Sequence, residues 1–469
     1  MSVALNTDKK KMFQWGITAV LAIAGYFLPL GDIYTTPMKR FVAITIIGLC
    51  LLAFNLMNNW AIGMMMPALW VLFGVTNFST AFSAWVSPNS IMLINALIFA
   101  GILSRTGLMQ RIGYGLILKS GGTYKSGVWA ILLVGIVISA VSMMTNFILI
   151  ATLALAMYKA LDLKPTDKEA IPLFTAVILA ATHAKAVIYC PLSIGIMNAS
   201  IQSIYPDMNI TYGQLLLYNF PILIFIFGFM WLTLKWYERS TRNDAKVMDL
   251  SEAKAIYRKN YEKLGKMSRN EKIGAVLLAS LFIWMLLYPI HKLDIAFAFI
   301  ICNVLFFVLG IAEDTDVKNA NFSMFAVVMA FVAVGTVANA LQLTGLISSG
   351  IASIFGGLGH YWATLGTLLF GVGANFILTP YAMMSMLPAT VASYCAQIDW
   401  SFWPHFNACY LSADIVFFPY EYPLVLILYG FGMCSMNNTI KMLTVKGLLC
   451  IAFIALIMMP YWYLIGLYA

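Results

Sequence analysis

Apolar runs of about twenty residues follow one another along nearly the whole chain, and no other feature constrains the fold as strongly. Such a run crosses the hydrocarbon core of a bilayer as a helix, because its backbone N–H and C=O groups are satisfied within the segment. A barrel would instead need alternating segments of about ten residues, and the sequence has none. Charged residues make up 10% of the 469 positions and hydrophobic ones 62%, whereas soluble domains carry roughly a quarter charged. The chain therefore reads as an all-α polytopic membrane protein.

The net charge of +9 does not call for a nucleic-acid partner. Lys and Arg concentrate in short loops and in 238–272, where membrane orientation rules alone place them. The seven cysteines, at positions 50, 190, 302, 395, 409, 434 and 450, lie in apolar runs without CxxC spacing and read as packing residues. The polar start, Met1 to Lys11, precedes an apolar run with no small-residue cleavage site. It reads as a retained cytoplasmic end of a protein of the inner (cytoplasmic) membrane.

Spans are expected near 13–30, 41–57, 61–77, 91–105, 171–205, 214–237, 273–290, 295–311, 321–341, 405–434 and 447–466, about eleven in all. Tyr114 to Ser120 reads as a short interfacial helix. This count puts the N-terminus inside, the C-terminus outside, and Lys441 and Lys446 in an inside loop. Two stretches do not fit simple spans, 127–158 and 361–395. The first is long, has lysines on both flanks (Lys125, then Lys159, Lys164 and Lys168), and holds Thr145-Asn146 near its middle. A re-entrant hairpin explains it, since non-helical backbone at that depth must line a cavity. The expected organisation is 1–40 (N-terminus and first span), 41–237 (first repeat), 238–272 (cytoplasmic linker) and 273–469 (second repeat).

The repeat rests on three ordered matches. Thr106-Gly107-Leu108 pairs with Thr344-Gly345-Leu346, Asn146-Phe147-Ile148-Leu149 with Asn375-Phe376-Ile377-Leu378, and Pro191-Leu192 with Pro423-Leu424. The span count puts the first pair on opposite faces, so the repeat is inverted, an architecture of secondary transporters. Asn146 and Asn375 each offer a carbonyl acceptor for a cation and an amide donor for a carboxylate. Thr379-Pro380 adds a hydroxyl and a helix start beside Asn375.

On these residues the chain resembles the divalent anion/sodium symporter family, whose two hairpin tips carry Ser-Asn-Thr and whose partner helices break at proline-containing segments. Here the tips read Thr145-Asn146-Phe147 and Ala374-Asn375-Phe376, and the breaks read Tyr189-Cys190-Pro191-Leu192-Ser193 and Glu421-Tyr422-Pro423-Leu424. The asparagines match, and the flanking hydroxyls are mostly lost. The resemblance implies a homodimer with scaffold and transport domains moving as an elevator. It also implies a substrate site at Thr145, Asn146, Asn375, Thr379, Pro191, Ser193, Tyr422 and Pro423, and sodium ions at Asn146 and Asn375 as the only cofactor class.

Ionisable residues inside a membrane cost at least about 2.5–3.5 kcal/mol, so they face a cavity or a partner. His183 and Lys185 precede the first break, and Asp414 and Glu421 flank the second. The expectation is that the Lys185 ammonium, paired with Asp414, does work that a sodium ion does elsewhere in the family. The alternative is a buried structural ion pair. The functional reading is a secondary active transporter of a small anion, with a di- or tricarboxylate favoured. A cation/proton antiporter or arsenite-like permease is the alternative within transport. A membrane-embedded enzyme is a remote one, since no HExxH, GxSxG or comparable motif is present.

Overall fold

Caps and prolines set the helix boundaries. Ser87 accepts from the Ser90 N–H with Pro88 in the first turn, and Thr123 with Ser126 and Ser268 with Glu271 form reciprocal capping boxes. The computed structural model of the protein describes residues 2–469 apart from 30, 55, 122, 143–146, 203, 209, 241–250, 321, 344–356, 377–379, 423–424, 426–428 and 431. Helices are the only extended regular structure among the described residues.

The first half comprises α1 (Ser2–Tyr26), α2 (Thr36–Ala53), α3 (Asn59–Leu72), α4 (Pro88–Arg105), α5 (Leu108–Leu118), α6 (Tyr124–Val141), α7 (Phe147–Ala160), α8 (Ala170–Ala181), α9 (Pro191–Ile201), α10 (Tyr212–Asn219) and α11 (Ile222–Ser240). After α12 (Ser251–Lys263), the second half runs α13 (Arg269–Leu286), α14 (Ile295–Val308), α15 (Asp314–Lys318), α16 (Phe322–Ala340), α17 (His360–Ala374), α18 (Pro380–Gln397), α19 (Trp403–Ser412) and α20 (Met436–Phe453). Helix α3 packs on α16, α4 on α14, and α9 on α18, so the halves interlock. Within the halves, α6 packs on α8 and α17 on α19.

Among the described residues, Ala170–Ile201 and Met436–Leu464 are long and apolar enough to cross a membrane, and four segments are if each bent pair counts as one. One pair bends by 60° between α4 and α5, where Gly107 takes φ +86°, a left-handed conformation that a side chain would strain. The other bends by 51° between α10 and α11. Ala170–Ile201 has 94% of its apolar window buried inside the protein, against 44% for Met436–Leu464. The first is therefore the centre of the molecule and the second its flank.

Three expectations change. The short helix placed at Tyr114 to Ser120 starts earlier, at Leu108, and ends at Leu118. Part of the 238–272 segment is a docked helix: in α12 the buried Tyr257 hydroxyl donates to the Leu153 carbonyl at 2.6 Å. The inside loop assigned to Lys441 and Lys446 is instead the middle of α20, and Lys446 is fully buried. A lone lysine in an apolar run satisfies the orientation rule equally well in a loop or in a helix that turns it inward.

Candidate functional site

Helix α8 is buried at every position but Ile171, and its regular hydrogen bonding stops at Thr182. A single 3-10 turn, His183–Ala186, follows; then the chain is extended at Cys190, and Pro191 in the first helical position starts α9. Proline suits that position because it has no N–H to leave unpaired. The second break is built similarly. Helix α19 stops at Ser412, a 3-10 turn covers Pro419–Glu421, and Tyr422 is extended. Each break frees backbone carbonyls inside the protein, and each must find a partner.

The two breaks meet. The Tyr410 hydroxyl donates to the Lys185 carbonyl at 2.8 Å, and the Lys185 Nζ lies 5.1 Å from the centre of the Tyr410 ring. The same Nζ is 3.1 Å from Asp414 Oδ1, with both side chains about 2–3% exposed. That distance makes an ion pair, and neither atom has a hydrogen-bond partner of good geometry among the described residues. Asn375, at the end of α17, donates from Nδ2 to the Ser412 and Ile415 carbonyls at 2.8 and 3.2 Å. Its Oδ1 is buried without a partner among the described residues. Two carbonyl acceptors fix which end of the amide faces them.

Around this pair, the Lys446 Nζ donates to the Asp414 carbonyl at 2.9 Å. His183 Nδ1 lies 2.8 Å from Thr182 Oγ1, Nε2 lies 3.8 Å from Cys450 Sγ, and the ring stacks on Phe225. The Glu421 carboxylate accepts from the Phe417 and Phe418 N–H groups at 3.1 and 3.0 Å, pinning the second break. Phe376 stacks on Phe417, so an aromatic ring at the end of α17 takes up the pinned segment. Ser193 is buried near the start of α9 with its hydroxyl 3.5 Å from Cys190 Sγ, Pro191 is buried beside it, and Tyr422 is buried.

The structure thus brings together Lys185, Asp414, Asn375, His183 and Glu421, with Pro191, Ser193 and Tyr422 at the two breaks. Thr145, Asn146, Thr379 and Pro423 lie outside the described residues. The Asn375 amide donors reach two backbone carbonyls, and the Glu421 carboxylate accepts from two backbone N–H groups. Sequence reasoning missed Lys446 and Tyr410. The signal for Lys446 was its isolation within an apolar stretch, Thr444-Val445-Lys446-Gly447-Leu448. A sodium ion at the second break would need free oxygen lone pairs. There the Ser412 carbonyl accepts from both Asn375 Nδ2 and the Ile415 N–H, the Ile415 and Asp414 carbonyls each accept one side-chain hydrogen bond, and Asn375 Oδ1 is the oxygen left without a partner among the described residues, so most of the described oxygens are already engaged.

A family model described as "Citrate transporter" matches residues 49–404, more than half of the chain. The chain belongs to the citrate transporter family. The YdaH transporter of Alcanivorax borkumensis, solved as a crystal structure with an unusual topology, is similar in fold. The two share 16% identity at a TM-score of 0.55, with 98% of each chain covered. No curated protein matches the chain in sequence. Membership in the citrate transporter family makes this a helical, multi-pass membrane transporter with small anions as its class of cargo. The family match points to transport rather than catalysis.

Proposed function

We propose that the protein is a secondary active carrier of a di- or tricarboxylate, in which Lys185 supplies positive charge that related carriers take from sodium. The observation that carries this reading is the buried Lys185–Asp414 pair, which joins the two breaks at 3.1 Å. A buried ammonium with unfilled hydrogen-bonding capacity can attract an anion, and the Asp414 carboxylate beside it supplies the counter-charge when none is bound. The packing of α6 on α8 and of α17 on α19 supports the inverted repeat, with α6–α7 and α17–α18 as the two hairpins. About eleven spans, an inside N-terminus and outside C-terminus, elevator motion and a homodimer belong to the same reading, through the likeness to the divalent anion/sodium symporters.

The test uses purified protein in liposomes and labelled citrate and succinate, with sodium or choline as the external cation. We expect uptake of at least one of the two at similar rates in both buffers, and a loss of tenfold or more, about 1.4 kcal/mol, in Lys185→Ala. Strict sodium dependence, or unchanged uptake and coupling in Lys185→Ala, overturns the reading.

A further inference from the structure

Four charged side chains are closed into the region of the two breaks: Lys185, Lys446, Asp414 and Glu421, none more than 2% exposed. Their formal charges are two positive and two negative, so the group sums to zero. Each member has a distinct job. Glu421 is spent on the Phe417 and Phe418 N–H groups, and Lys185 faces Asp414 Oδ1. Lys446 does not address a carboxylate at all; its ammonium donates to the backbone carbonyl of Asp414, two residues beyond the end of α19.

The end of a half-helix gathers freed carbonyls and the negative pole of its dipole, and it is a place where cations settle inside membranes. Three such carbonyls are accounted for here. Asn375 takes those of Ser412 and Ile415, and Lys446 takes that of Asp414. The lysine is delivered by a different element, α20, which runs unbroken past the break. Its neighbour Gly447 permits this approach: a Cβ there would meet the Phe417 ring at 3.1 Å and Ile415 at 3.5 Å.

We infer that Lys446 is a built-in monovalent cation, holding the position at the second break that a metal ion would otherwise take. A further cation would leave the buried group with surplus positive charge, which a low-dielectric interior penalises by several kcal/mol. Removing the ammonium leaves surplus negative charge beside an unpaired carbonyl, an arrangement that recruits a small cation. The inference deepens the carrier reading by making the second break independent of sodium, but its readout needs no transport.

The experiment measures the thermal unfolding of purified, detergent-solubilised protein in sodium, lithium, potassium and choline chloride at equal ionic strength. The wild type should unfold at one temperature in all four. Lys446→Ala should unfold earlier in choline and recover saturably, by roughly 2–4 °C, with sodium or lithium. Lys446→Met, which refills the space with an apolar chain, should unfold early and gain nothing from any salt. If Lys446→Ala does not fold, Lys446→Ser carries the test, because its short side chain leaves the Asp414 carbonyl open while removing the charge. Saturable stabilisation of the wild type by sodium overturns the inference. So does the absence of any salt response in folded Lys446→Ala, or in the serine variant that replaces it, which would leave the lysine a structural hydrogen-bond donor. Failure of carboxylate uptake in liposomes would leave either thermal result intact.

Discussion

Lys185 and Asp414 are coupled so that neither can be removed alone without exposing the other's charge to the protein interior. Asp414→Ala keeps the backbone carbonyl that Lys446 uses, so it isolates the side-chain contribution. It leaves the Lys185 ammonium buried without a counter-charge at 3.1 Å, a change that costs about 3–5 kcal/mol. Replacing both partners together, Lys185→Met with Asp414→Leu, removes both charges and should return most of that stability. Thermal unfolding of the two single variants and the double variant tests this. A double variant no more stable than the worse single would show that the pair is not the source of the loss. The double variant should still be inactive in carboxylate uptake, which separates holding the breaks together from attracting an anion. Asn375 acts differently: without it the Ser412 carbonyl keeps the Ile415 N–H, but the Ile415 carbonyl would be left unpaired at a cost of about 1–3 kcal/mol.

Short helix α15 is fastened to the end of α4 by an ion pair rather than by apolar burial. Arg105 donates from Nε and Nη2 to the two Asp316 oxygens at 2.8 and 2.6 Å and also reaches the Ile311 carbonyl. Burial pushes the Asp316 carboxyl up, but hydrogen bonds from Arg105 and the Glu313 backbone, with the guanidinium charge, outweigh it and hold the group below the usual carboxylate range. A depressed folded-state value means that the stabilisation is present above the unfolded value of about 4 and is lost as pH falls through the lower folded value. The Arg105 side chain is 42% exposed, so screening limits the contribution to about 1 kcal/mol or less. Unfolding temperature should therefore drop between about pH 5 and pH 3 in the wild type, with a shallower drop in Asp316→Asn. Identical profiles would remove the pair from the account of how α15 is held.

At the scale of the molecule, the two halves are stitched by polar contacts rather than only by the apolar surface that lipid could cover equally well. Arg111 bridges to Glu271 at 2.7 Å, Asn303 Nδ2 donates to the Asn95 carbonyl at 2.9 Å, and Asn219 Nδ2 donates to Asn407 Oδ1 at 2.9 Å. Lys185–Asp414 and Arg105–Asp316 do the same, and in each of these the partners come from opposite sides of the linker. Residues 1–240 and 251–469, co-expressed as separate chains, should accordingly assemble and co-purify through an affinity tag on either. Halves that fail to associate would show that the covalent linker, not the polar seam, holds the molecule together.

Long apolar runs mark this as a helical membrane protein before any contact is known, because they leave no other way to satisfy the backbone in lipid. The sequence also located the elements of the site. The break at Pro191 coincides with the start of α9, since proline marks a helix start by its own chemistry. Lys185 and Asp414 were legible as partners because a buried charge requires one. Only the tertiary structure decided what the other polar groups do. Asn375 turned its donors to the Ser412 and Ile415 carbonyls, Glu421 was used up by two N–H groups, and Lys446 left its expected loop to reach the Asp414 carbonyl. These outcomes depend on which freed carbonyl or amide lies within about 3 Å once two broken helices and α20 have packed, and one-dimensional spacing does not encode that distance.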